Sequence, residues 1–191
     1  MRYLVDHELE ALRRPAPRDQ VGGRNKVWMA DLRAAFTDDG FPEVATYIQS
    51  GNVLFTSDGP RADLEDDIES MLERRFGTRW VTVVRTHREL ERIVDEAPEG
   101  FGSKPDRYHS DVIFLKKPLT PAAAMKIVDL REEVDEAWPG RGVLYFARLS
   151  ARRTQSRLSR IVGTPEYQSM TIRSWSTTTR LLGLLDERAG R

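Results

Sequence analysis

The sequence predicts an α+β protein of two small subdomains, the first ferredoxin-like, with antiparallel or mixed sheets. Strand-like runs and amphipathic stripes alternate through the first half as strand–helix–strand–strand–helix–strand, the order of a split βαβ unit. The runs "EVATYIQ" and "NVLFT" flank a tight turn, and strands joined so closely pair antiparallel. Near the middle, "PEGFGSKPDRY" (Pro98 to Tyr108) gathers prolines and glycines and marks the boundary between units 1–98 and 99–191.

The elements follow in order. "MRYLV" reads as a short first strand, and "EALRRPAPRDQVGG" as a loop broken by Pro15, Pro17, Gly22 and Gly23. Val27, Met29, Leu32, Ala35 and Phe36 fit helical spacing, with Gly40 ending the element. After the hairpin, Pro60 opens a helix whose stripe is Leu64, Ile68, Met71, Leu72 and Phe76. "RWVTVVR" is the next strand. Thr86 stands three residues before Glu89 as a capping box, starting a helix with Leu90, Ile93, Val94 and Ala97. In the second half come strand "DVIFL", a helix capped by Thr120-Pro121 and running to about Leu130, strands "EEVDEAW" and "GVLYFARL", and three helices in "QSRLSRIVG", after Thr164-Pro165, and in "TTRLLGLLDER".

Composition removes several function classes. A charged share of 31% with no net charge describes a solvated surface of interspersed signs, and four tryptophans with seven phenylalanines supply a core. The absence of cysteine excludes disulfides, thiolate metal sites and a cysteine nucleophile. His7, His87 and His109 stand at no ligand spacing, so no metal and no cofactor are expected. No apolar run approaches the roughly 20 residues of a membrane span. The acidic "MRYLVDHELE" lacks the layout of a signal peptide, so the expected location is cytoplasmic, with no membrane partner.

Polar turns supply the candidate binding groups. In "TYIQSGNVLF", Ser50-Gly51 centres the turn, and Gln49 and Asn52 offer amide donors and acceptors beside it. The plainer reading is turn geometry alone, and the two are compatible. Gly22, Gly23, Arg24 and Asn25 precede a helix, where exposed amides beside an arginine suit an anion. The spacing matches neither a P-loop nor a dinucleotide fingerprint, so a plain turn is the alternative. From Arg141 to Arg180 there are eight arginines against one acid, Glu166. Either this is a surface for phosphate or nucleic acid, or it is a solvated face paired with the acidic helix of residues 61–73. Catalytic groups do not assemble: Ser50, Ser156 and Ser159 lie in no nucleophile elbow, His87 is expected exposed within the capping box, and His109 is expected to be structural.

"VGGRNKVWMADLRAAF", "YIQSGNVLFTS", "VVRT" and "LSRIVGTPEYQSMTIRSWSTTTRLLGLL" together resemble the bacterial family of domain of unknown function 1697, from about Val21 to Leu185. The resemblance implies a two-part α+β fold, a cytoplasmic bacterial protein and no established activity. Two departures stand out. "ALRRPAPRDQVGG" replaces the family's opening Leu-Leu-Arg-Gly-Ile-Asn-Val-Gly-Gly, and Ser174 and Ser176 replace two asparagines around Trp175. With the resemblance, Arg173, Trp175 and Thr177 join the candidate ligand-binding set: Arg24 and Arg173 to neutralise charge, Gln49, Ser50 and Asn52 to orient, Trp175 to stack. The expected function is binding of a small anionic or polar ligand in a cleft between subdomains. Nucleic-acid binding through the basic second half is the alternative, and a purely structural use of Trp175 and Thr177–Thr179 is a third reading.

Overall fold

The computed structural model describes residues 27–48 and 51–190, and the backbone of residues 2–7. Packing divides the chain into two units, Met1–Thr86 and His87–Arg191.

The first unit runs β1 (Arg2–His7), α1 (Met29–Asp38), β2 (Ala45–Tyr47), β3 (Asn52–Thr56), α2 (Arg61–Phe76) and β4 (Thr82–Thr86). Its sheet order is β2-β3-β1-β4 with every neighbour antiparallel, so the first and third strands lie at the centre. This is the expected β-α-β-β-α-β order, and the short first strand is present. Alternation places Val53, Phe55 and Val84 against Leu32 and Phe36 of α1 and Leu64, Ile68 and Leu72 of α2, all within one core. Phe41 meets Phe55 edge-on at 4.8 Å between ring centroids. Gly77, at φ +70°, accepts the left-handed turn that closes α2.

The acidic face of α2 has a structural use. β4 is an edge strand, whose outward N–H groups need partners. Glu65 Oε1 accepts from Val84 N and Glu69 Oε1 from Thr82 N, both at 2.9 Å. Spaced four residues apart on the helix, the two carboxylates meet amides two residues apart on the strand.

The second unit runs α3 (His87–Asp95), β5 (Tyr108–Leu115), α4 (Pro121–Ile127), β6 (Asp135–Gly140), β7 (Val143–Leu149), three 3₁₀ segments, β8 (Met170–Ser174) and α5 (Trp175–Ala189). Sequence reading assigned α3 to residues 1–98. It packs on α5, and Ile93 O accepts from Tyr145 Oη at 2.6 Å. The sheet order β6-β7-β5-β8, all antiparallel, repeats the plan of the first unit. The 3₁₀ run Ser150–Gln155, Leu158–Gly163 and Pro165–Ser169 stands where the first unit has its second helix. One sheet face carries Ile113, Leu115, Leu144, Phe146 and Met170 against Ala124, Leu158 and Ile161. Thr120 Oγ1 caps α4 by accepting from Ala123 N, and that helix ends at Ile127 rather than near Leu130. β8 lies within a stretch that carries only helical signals in the sequence.

The glycine-rich stretch 98–107 is packed rather than free. Phe101 meets Trp138, Tyr145 and Trp175 edge-on, at 6.1, 5.3 and 5.1 Å between centroids. Gly102 has φ +73°, and a Cβ there would sit 2.0 Å from Trp175 Cδ1. Among the described residues, no helix is long and apolar enough to cross a membrane.

Candidate functional site

Six of the candidate residues chosen from sequence, Gly22, Gly23, Arg24, Asn25, Gln49 and Ser50, lie outside the described residues. Asn52 is fully buried in the first unit, and its Nδ2 donates to Tyr47 O, its partner across the β2–β3 ladder, at 3.2 Å. Arg173, Trp175 and Thr177 come together at the β8–α5 junction of the second unit. Arg173 is 6% exposed and donates from Nη1 to Ile172 O at 2.7 Å. Trp175 covers Gly102 and stands edge-on to Phe101, and Thr177 N donates to Ser174 Oγ, the N-cap of α5. Serine and asparagine cap helices about equally well, so Ser174 can carry the capping role of the asparagine it replaces. Thr178 and Thr179 donate their hydroxyls to carbonyls of Ser174 and Trp175, tightening the first turn.

Several arginines of the basic stretch pair with acids of the second unit. Arg141 reaches Glu96, Arg152 reaches Glu133, Arg180 reaches Glu187, and Arg157 and Arg160 both hold Asp129. Hydrogen bonds from Arg157, joined by Arg160, keep the Asp129 carboxyl below its ordinary pKa. Exposed pairs of this kind add little to stability, but they lower the net positive potential of the face.

Sequence reading missed the arrangement on β5 and β7. His109 and Asp111, two apart on β5, share the face that continues into Ile113 and Leu115, so one end of that face is polar and the other apolar. Register places Arg148 of β7 opposite His109, and Ser174 of β8 opposite Asp111. Asp111 is 4% exposed. Its Oδ2 lies 3.0 Å from Arg148 Nη2 and its Oδ1 3.3 Å from His109 Nε2, while the His109 side chain is 38% exposed. Burial raises the Asp111 pKa above the ordinary aspartate value, against the opposing pull of Arg148 and then His109. A buried carboxylate between a guanidinium and an imidazole open to solvent can orient a polar ligand or exchange a proton with it. The period-two spacing of His109 and Asp111 is the one local signal that points to it.

His87 is a correction: its side chain is 11% exposed, and its Nε2 lies 2.6 Å from Asp186 Oδ1 of α5, so it ties α3 to α5. Tyr145, beneath the aromatic cluster, has its pKa pushed up to about 12 by burial and by the charge of Glu96. No group of three His, Asp or Glu side chains gathers as a metal site would need among the described residues.

A family model described as "Protein of unknown function (DUF1697)" matches residues 20–145. The closing motif of residues 158–185 lies beyond that match. The solved structure of the conserved bacterial protein SP0830 from Streptococcus pneumoniae is similar over 96% of this chain and 98% of its own, with 22% identity and a TM-score of 0.76. At that identity the likeness shows the fold. No curated protein matches the chain.

Proposed function

We propose that this chain, which belongs to the DUF1697 family of proteins of unknown function, binds a small anionic or polar ligand through its second unit. The observation that carries the reading is the buried Asp111 carboxylate held between Arg148 and the solvent-accessible His109. Burying a charge is costly, and a structural role alone is filled more cheaply by an apolar residue. Arg148 supplies a planar donor fork, His109 a ring nitrogen at the solvent edge, and Asp111 an acceptor. Ser174 of β8 stands opposite Asp111 in register and borders this group, whereas Arg173, opposite Val112, belongs to the other face of the sheet. Pairing of the arginines with acids of their own unit counts against the nucleic-acid reading.

Thermal-shift screening with nucleotides, sugar phosphates, carboxylates and amides tests the reading, using wild type, His109→Ala and Arg148→Gln. At least one compound should stabilise the wild type and lose its shift in both variants. A panel in which every stabilising compound acts equally on all three proteins would sink the proposal.

A further inference from the structure

The polar end of the second sheet extends beyond Asp111. Arg148 faces Asp135 across the β6–β7 ladder, as it faces His109 across β5–β7. Asp135 is 6% exposed, and its Oδ2 accepts from the backbone N–H groups of Arg131 and Arg157, at 3.1 and 2.9 Å. Arg157 is thereby anchored to the same carboxylate, and its Nη1 reaches Asp129 Oδ1 at 2.8 Å. Four buried atoms in this row make no hydrogen bond with any protein atom: Asp111 Oδ2, Asp135 Oδ1, Arg148 Nε and Arg157 Nε. Asp111 Oδ2 lies 3.0 Å from Arg148 Nη2 as an ion pair without a completed hydrogen bond. Such groups are expensive to leave unsatisfied and call for a partner from outside the chain.

Two are acceptors and two are donors. The formal charges in the row balance as well, with carboxylates at 111, 129 and 135 against guanidiniums at 148, 157 and 160. An anion would meet two buried carboxylates, and a cation would meet the arginines. Resting on the proposed ligand-binding role, we infer that the ligand is neutral and presents a donor and an acceptor side by side, as a primary carboxamide or ureide does. Its carbonyl oxygen accepts from the guanidinium Nε–H groups, and its NH₂ donates to Asp135 Oδ1 and Asp111 Oδ2.

The test is an NMR titration of the full chain with acetamide, acetate and inorganic phosphate, following backbone amides of residues 109–111, 135, 146–148 and 157. Acetamide should shift these resonances at least tenfold more effectively, by apparent Kd, than either anion. Asp135→Asn provides an isosteric control. Its Oδ must stay on the two backbone donors, so its NH₂ occupies the place of the free acceptor. Acetamide binding should then weaken about tenfold, and acetate binding should strengthen. If acetate or phosphate binds the wild type in preference and Arg148→Gln abolishes it, the neutral-ligand inference is overturned while the ligand-binding reading stands. If none of the three probes moves these resonances, both fall.

Discussion

Gly102→Ala is the sharpest structural perturbation available. Two costs add at this position. The residue sits at φ +73°, where a Cβ costs about 1–2 kcal/mol. The new methyl would also lie 2.0 Å from Trp175 Cδ1 and 2.3 Å from its Nε1. The indole is braced edge-on by Phe101 at 5.1 Å, so relieving the overlap means displacing the aromatic cluster, an overpacking cost of about 1–3 kcal/mol. The total is about 2–5 kcal/mol, a large part of the roughly 5–15 kcal/mol that holds a typical native state. For a chain of this size each kcal/mol moves Tm by about 2–4 °C, so melting should fall by roughly 4–20 °C. Urea unfolding followed by tryptophan fluorescence and near-UV circular dichroism measures it. A Trp175→Ala background separates the two parts, because there Gly102→Ala should cost only the backbone share. A loss below about 1 kcal/mol in the wild-type background, or the same loss in both, refutes the packing argument.

Other outcomes follow from the same geometry. Ser174→Ala removes the N-cap of α5 and should destabilise the second unit by about 1 kcal/mol, whereas Ser174→Asn should be near neutral by urea denaturation. Glu69→Ala strands the Thr82 N–H on an edge strand and should cost about 1–3 kcal/mol; Glu69→Gln, which can still accept that bond, should cost clearly less. Asp111 has a raised folded-state pKa, so its contribution to stability is present below the unfolded value of about 4 and is lost as pH rises through the folded value. Melting curves of wild type and Asp111→Asn should therefore diverge in favour of the variant as pH climbs past the ordinary aspartate range. A constant gap would contradict the assignment.

Local patterning made the architecture of the first unit readable. The stripe Leu64, Ile68, Met71, Leu72, Phe76 specifies α2, and the turn between "YIQ" and "NVL" specifies the hairpin, because both signals act within a few residues. β8 was hidden because "MTIRS" is five residues long and lies between helical signals at Thr164-Pro165 and at "TTRLLGLL". The stretch 98–107 carries the composition of a linker, yet Phe101 and Gly102 fix it beneath three aromatic rings, contacts between residues remote in sequence. The repeated strand order of the two units leaves no periodic sequence trace, since 3₁₀ turns replace the second helix in the later copy. The candidate site was half legible. Period two puts His109 and Asp111 on one face, but ladder register alone delivers Arg148 and Asp135 to them. Of the earlier candidates, Asn52 has its amide in a hairpin bond and Thr177 lies in a helix cap.

The central claim, that the polar end of β5–β7 receives a small neutral ligand, is most directly tested by recording the side-chain Nε–H signals of Arg148 and Arg157 during an acetamide titration. The account predicts two protected resonances that shift together and saturate, and that respond weakly to acetate. Resonances that exchange freely with water and stay fixed throughout the titration would contradict it.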